Sequence, residues 1–312
     1  MRVIFMGTPE FAVPSLRGIL DAGYEVPLVV STPDRAKGRG LKLSPSAVKA
    51  FALERGLETA TPESLKDPEF VELIRSKAPD VICVVAFRIL PEAVYSLPSR
   101  GSFNLHGSLL PRYRGAAPIN WAIINGDPET GVTTFFLKKQ VDTGAVIMQR
   151  SIPIGPDTTA GELHDVMMLV GAEVVVETLK AIGKGDLEPL SQDDTLATPA
   201  PKIFRDDCRI DWERPASRLH DFIRGLSPYP AAFTSYNGKV LKIYRSALQD
   251  ELHLAPGEIQ ATEKELFVGT ATAALRILEV QQEGKRAMGA EEFLRGFKFD
   301  QGARLGDADT TG

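Results

Sequence analysis

Cysteine is nearly absent from this chain. Its 312 residues hold two, Cys83 and Cys208. They lie far apart and share no metal or redox spacing, which excludes a disulfide scaffold, a thiolate metal site and a paired redox centre as organising features and suits a reducing cytoplasm. Long apolar runs are missing as well: VICVVAF, which contains Cys83, is far short of a spanning helix. Only Met1 and Arg2 precede VIFM, too short for a charged n-region, so neither a signal peptide nor a membrane partner is expected. Positive charge is in deficit, with 36 Lys and Arg against 41 Asp and Glu and a formal net charge of −5. A general nucleic-acid coat would be basic throughout, so any contact with nucleic acid must be local. The glycine pattern of a dinucleotide-binding turn is also absent. The turn after the first apolar strand, MGTPEF, offers only Gly7, with Pro9 where close backbone approach would favour glycine, and this argues against a dehydrogenase. There are no internal repeats.

What is present is an alternation of strand and helix patterns. Apolar strands are expected at Val3 to Met6, Pro27 to Thr32, Val81 to Val85, Ser102 to His106, Thr133 to Leu137 and Val146 to Gln149. Between the first two, Ala12, Leu16, Ile19 and Leu20 recur at helical spacing until Gly23. Ser44 and Pro45 read as the cap and first residue of a helix running through Arg55. A longer helix from Thr159 to about Ile182 opens with the capping box Thr159 to Glu162, and Leu163, Val166, Met167, Val170 and Val174 form one face. Such an order implies an α/β fold, an open and mostly parallel sheet with helices on both faces. Residues 1–184 are expected to form this domain. The polar, proline-bearing stretch 185–204 lacks period and reads as a linker. Over 205–306 the pattern changes to one amphipathic helix, Pro215 to Gly225, and several short strands. The hairpin FTSYNGKVLKIYR, with Asn237-Gly238 suited to a type I′ turn, is the clearest, and a small antiparallel barrel follows. Residues 307–312 read as a flexible tail.

Two segments carry chemistry. In SFNLHGSLLPRYRGAAPINWAIINGD, Ser102 to Asp127, alternation along the strand projects Asn104 and His106 from one face while Phe103 and Leu105 pack on the other. The strand ends there, at the edge of the sheet where ligands of this architecture sit. With the carboxylate Asp142 in VDTG, this reads as an acyl-transfer site that needs no metal. The second segment, DRAKGRGLKLSPSAVK from Asp34, sets Arg35, Lys37, Arg39, Lys42 and Lys49 against Asp34 as the single acid, interleaved with Gly38 and Gly40. A short basic loop is by itself most simply a solvated connection.

The string NLHGSLLPRYRGAAPINWAIINGD, together with VDTG, MGTPEFAVPSL, PDRAKGRGLKLSPS, RIDW, LSPYPAA and GKRAM, resembles the folate-dependent formyltransferases along nearly the whole chain. Within them it is most similar to the branch whose acceptor is methionyl initiator tRNA. The resemblance implies a Rossmann-like formyltransferase domain followed by an OB-like tRNA-binding domain. It also implies 10-formyltetrahydrofolate as co-substrate, no metal, and formylation of the α-amine of the initiator methionyl-tRNA for translation initiation. A cytoplasmic monomer is the expected form. Asn104, His106 and Asp142 take the catalytic roles: Asn104 and a protonated His106 donate to the oxyanion, and Asp142 supports the imidazolium and the proton transfer. Ser108, Leu109, Leu110 and Pro111 would line one folate wall, and Phe87, Arg88, Ile89 and Leu90 the other. That second segment, AFRILP, is one residue shorter than the text usual in the tRNA branch and resembles the loop of the glycinamide ribonucleotide enzymes. Arg35, Lys37, Arg39 and Lys42 would engage tRNA, with Arg39 near the loop tip, and Lys239, Lys242, Arg245, Lys285 and Arg286 are further basic candidates. The alternative is formylation of a nucleotide-linked amino sugar or other small amine. Amino-sugar enzymes share the second domain but lack the basic loop. A nucleic-acid module without catalysis is disfavoured by the intact Asn104, His106 and Asp142.

Overall fold

The computed structural model describes residues 1–37, 42–185 and 187–306. In chain order the elements are Val3–Gly7 (β1), Val13–Asp21 (α1), Val29–Val30 (β2), Arg35–Lys37 (β3), Lys42–Ser44 (β4), Ala47–Glu54 (α2), Thr59–Ala60 (β5), Pro68–Ser76 (α3), Val81–Val85 (β6), Glu92–Tyr95 (α4), Ser102–His106 (β7), Arg114–Gly115 (β8), Pro118–Ile124 (α5), Glu129–Phe136 (β9), Val146–Pro153 (β10) and Ala160–Lys184 (α6). There follow Pro199–Ala200 (β11), Ala216–Leu226 (α7), Ala232–Tyr236 (β12), Lys239–Gln249 (β13), Ile259–Ala261 (β14), Leu266–Gly269 (β15), Ala274–Gln282 (β16), Met288–Gly289 (β17) and Ala290–Gly296 (α8). The chain divides into two units. One takes residues 1–115, 130–152 and 164–200, and the other 116–129, 153–163 and 201–312, so the second recruits two segments that precede residue 184.

In the first unit seven strands lie in the order β10-β9-β7-β6-β1-β2-β5. Neighbours from β7 to β5 run parallel and β9 runs antiparallel to β7, a mostly parallel Rossmann-like sheet. Every residue of β1 and β6 is buried. That is why these strands read as unbroken apolar runs, because helices cover both faces. On one face Ile4, Met6, Ile82 and Val84 pack with Phe70 and Ile74 of α3 and Val94 of α4. On the other, α6 closes against Leu105 at Gly171, where a Cβ would come within 2.7 Å of the leucine side chain.

Several local expectations shift. Ser44 continues the β3–β4 ribbon opposite Arg35. The cap of α2 is instead Ser46, whose hydroxyl accepts from Lys49 N–H at 3.1 Å. Strand β2 keeps only two residues of the expected run, whereas β9 begins at Glu129 and β10 extends to Pro153. The capping box of α6 forms as expected: Thr159 N–H donates to Glu162 Oε2 at 2.8 Å and Glu162 N–H to Thr159 Oγ1 at 3.3 Å. Val166, however, is 48% exposed. At about 100° per residue it lies roughly 60° off Leu163, at the edge of the stripe that Met167 and Val174 centre.

The second unit is a curled antiparallel half-barrel, β12-β13-β16-β15-β14, with β17 against β16. Register shifts between Ile243 and Ser246 bend β13, as bulges do. Asn237 and Gly238 both have positive φ, 49° and 71°, the signature of the type I′ hairpin. Helix α7 buries Leu219 and Ile223 against Leu241, Ile243 and Leu275 of the sheet.

Candidate active site

Asn104 and His106 stand on β7 in register with Val84 of β6 and with Phe135 and Thr133 of β9, so the paired strands fix their height at the carboxyl edge. Asn104 is half-buried, and among the described residues its carboxamide makes no hydrogen bond. His106 is 6% exposed and edge-on to the Phe135 ring at 6.5 Å. Its Nε2 lies 2.8 Å from the Tyr113 carbonyl oxygen. A carbonyl only accepts, so Nε2 carries a hydrogen and Nδ1 is the nitrogen left free of that bond. Nδ1 faces Asp142 Oδ2 at 3.9 Å, too long for a direct hydrogen bond. The loop between β9 and β10 brings Asp142 there, in the left-handed region at φ 56° and 9% exposed. Its Oδ2 accepts the Gly115 N–H at 2.9 Å. Gly144 completes the turn against β9, with no room for a side chain: a Cβ would sit 1.6 Å from the Phe136 carbonyl oxygen.

The segment expected to be a linker is bonded into this site. Leu190 pairs with Val146, and Thr198 Oγ1 accepts the N–H of Tyr113 at 2.9 Å, fixing the residue whose carbonyl holds His106. Strand β11 then pairs parallel with β8. Gln192 is a residue that sequence reasoning missed: it donates to the Asp142 and Gly144 carbonyls and accepts from Arg114. Partners 48 to 78 residues away leave no local periodicity to find.

The two expected folate segments leave the carboxyl ends of adjacent parallel strands, β6 and β7. Within them the side chains divide. Ile89 is 74% exposed and Phe87 half-buried, while Leu90 joins the core. Arg88 lies over the Phe87 ring at 5.3 Å and donates to the Pro62 and Glu63 carbonyls at 2.7 and 2.9 Å, which clips its loop to the neighbouring one. Leu109 and Pro111 are half-exposed, whereas Ser108 and Leu110 turn inward. Ser108 donates to the Arg112 carbonyl at 2.6 Å, and Thr133 Oγ1 ties the Ser108 carbonyl to the Leu110 N–H. Those two side chains therefore pack into the loop itself.

The basic segment forms the antiparallel ribbon β3–β4 in the register Arg35 to Ser44 and Lys37 to Lys42, following the carboxyl end of β2. Arg39 lies outside the described residues, as does the tail from 307. Lys49 is paired with Asp34 at 2.8 Å. In the second unit Arg245 pairs with Glu162 at 2.5 Å and Arg286 with Glu292. Among the described residues no helix is long and apolar enough to cross a membrane.

A Rossmann-like domain with a half-barrel domain after it, and an amide, an imidazole and a carboxylate at hand, defines the class of group-transfer enzymes that pass a small acyl unit to an amine. The particular family follows from comparison with known proteins. Residues 1–179 match the family described as formyl transferase, and residues 202–298 match the formyl transferase C-terminal domain. The chain belongs to the formyl transferase family. It is 48% identical to the methionyl-tRNA formyltransferase of Caldanaerobacter subterraneus, over 98% of this chain and 100% of that one. With the methionyl-tRNA formyltransferase of Chlorobium luteolum it shares 50% identity over 96% of this chain and 97% of that one. Among solved structures it is similar in fold to WlaRD, a sugar 3N-formyl transferase crystallised in the presence of dTDP and 5-N-formyl-THF. The TM-score is 0.67 at 21% identity, covering 92% of this chain and 99% of that one.

Proposed function

We propose that this chain transfers the formyl group of 10-formyltetrahydrofolate to the α-amino group of the methionyl initiator tRNA, as a monomer acting in the cytoplasm. The full-length match to methionyl-tRNA formyltransferases, at 48 and 50% identity, carries the reading of the acceptor. The unengaged carboxamide of Asn104 beside His106 supports the chemistry.

The amine nitrogen attacks the formyl carbon, a C–N bond forms, and the carbonyl electron pair moves onto oxygen. Asn104 donates an N–H to that developing oxyanion, a contribution typically worth about 100- to 1,000-fold in rate. The Nε2–H of His106 is held by Tyr113, so Nδ1 receives the proton leaving the amine. The resulting imidazolium faces Asp142. Collapse of the intermediate breaks the bond to N10, and the proton held at Nδ1 passes to that nitrogen as it departs. Ile89, Leu109 and Pro111 offer apolar surface for the pterin rings, while Ser108, Leu110 and Arg88 fix the loops that present it. Arg35, Lys37, Arg39 and Lys42 hold tRNA phosphates, and the ribbon follows the carboxyl end of β2, in the same sheet as β7. The half-barrel domain adds further contacts to tRNA.

A side-by-side assay tests the reading. Protein and 10-formyltetrahydrofolate are offered charged initiator tRNA, glycinamide ribonucleotide and a nucleotide-linked amino sugar. We expect kcat/KM for the tRNA to exceed both others by orders of magnitude, and preference for either small acceptor would overturn the assignment.

A further inference from the structure

The turn that carries Asp142 is held in an unusual state, and one side chain makes the contacts that hold it. Asp142 adopts φ 56°, a left-handed conformation uncommon for residues with a Cβ, although aspartate takes it more readily than most. On one side, Gly144 is pressed against the end of β9. On the other, Gln192 Nε2 donates to the Asp142 carbonyl at 2.9 Å and to the Gly144 carbonyl at 2.8 Å. The amide orientation is unambiguous. Gln192 Oε1 accepts from Arg114 Nε at 3.0 Å and Nη2 at 2.7 Å, and a guanidinium can only donate while a carbonyl can only accept. Both amide hydrogens and both oxygen lone pairs of Gln192 are thus engaged. The ring of contacts closes through the backbone, because Gly115, next to Arg114, donates to the Asp142 carboxylate.

We propose that Gln192 is a positioning residue for formyl transfer: it pins the Asp142 turn in its left-handed state and thereby keeps the carboxylate opposite His106 Nδ1. This rests on the reading of Asp142 as a participant in the reaction. Gln192 touches neither reacting group. Its effect passes through the backbone of residues 142 and 144.

The test compares Gln192→Glu, Gln192→Met and Asp142→Asn in the full-length enzyme, with charged initiator tRNA and 10-formyltetrahydrofolate. Gln192→Glu keeps the acceptor for Arg114 but loses both donors and sets a negative charge against two carbonyls. Gln192→Met keeps the length and loses both functions. We expect kcat to fall at least tenfold in each, with both KM values within about twofold. Added to Asp142→Asn, either Gln192 change should cost less than about twofold more. Asp194→Asn serves as the control, since the Asp194 side chain is exposed and, among the described residues, is bonded only to Arg114, and its kcat should stay within about twofold. A folded Gln192→Glu or Gln192→Met protein with unchanged kcat would overturn the proposal, as would full additivity with Asp142→Asn. If neither variant folds, as judged by thermal melting, Gln192 is a plain structural residue and the proposal fails. An unimpaired Asp142→Asn enzyme would overturn the catalytic reading of Asp142 and the proposal with it.

Discussion

Replacing Asn104 by alanine should separate catalysis from stability in a single substitution. The carboxamide is half-buried and makes no hydrogen bond among the described residues, so truncation breaks no native polar contact and strands no partner. Its neighbours in register, Val84 and Phe135, lose only the contact of a few atoms. The expected change in unfolding free energy is therefore below about 1 kcal/mol, the range of a substitution that leaves no unsatisfied group. The catalytic cost is of another order. If the amide N–H meets the oxyanion only as the tetrahedral intermediate forms, its loss removes about 2.7–4 kcal/mol of transition-state stabilisation, or roughly 100- to 1,000-fold in kcat. Asn104→Asp should be worse still, because it keeps the shape while placing a negative charge where one develops. Single-turnover formylation of charged tRNA at saturating folate measures the catalytic loss, and urea unfolding the change in stability. Two results would refute the reasoning. A rise in KM with unchanged kcat would show that the amide binds ground and transition states alike. A destabilisation above about 2 kcal/mol would show that it has a structural partner.

Gly144→Ala should cost at least about 2–3 kcal/mol or abolish folding, because the new Cβ falls 1.6 Å from a backbone oxygen that cannot swing aside; a melting temperature near that of the parent protein would contradict this. Affinity for tRNA should fall with salt along a log–log slope near −3 to −4 if Arg35, Lys37, Arg39 and Lys42 each neutralise a phosphate, and Arg39→Ala should flatten the slope by about one while leaving folate binding unchanged; a flat response in the parent protein would argue for a small acceptor. The Thr159 backbone N–H, and then Arg245, hold the Glu162 carboxyl below its ordinary value. A depressed folded value stabilises above about pH 4.3, the unfolded value, and that contribution is lost as pH falls through the folded one. The gap in urea midpoint between the parent protein and Glu162→Gln should thus be largest at neutral pH and close below about pH 4, and a gap that widens on acidification would sink the argument.

What the sequence made legible was whatever is written in neighbouring residues. Strand β6 emerges with the expected boundaries because an apolar run buried on both faces needs no partner's identity to be recognised, and β7 because its alternation of apolar and polar residues is written in neighbours. The Thr159 box and the Asn237-Gly238 turn are legible for the same reason, since each is a contact within four residues. Ser44 was misplaced as a cap because two serines flank Pro45 and local chemistry favours both; the ladder to Arg35, set by chain that loops back, assigns Ser44 to a strand and leaves Ser46 to cap. The stretch 185–204 failed as a linker for a stronger version of that cause. Its polar composition is real, yet its polar groups are spent on Tyr113, Arg114 and the Asp142 turn instead of on water. Side chains that bond to irregular backbone carry neither the period of a helix nor that of a strand, so composition alone reads them as solvated. The same holds within the site. Alternation could place Asn104 and His106 on one face, but that Nε2 is taken by Tyr113 and Nδ1 turned to Asp142 depends on a loop folding back by seven residues and another arriving from 36 away. The pair Asn104 and His106 is thus written in β7, and the contacts made by the imidazole are written in the segments that enclose it.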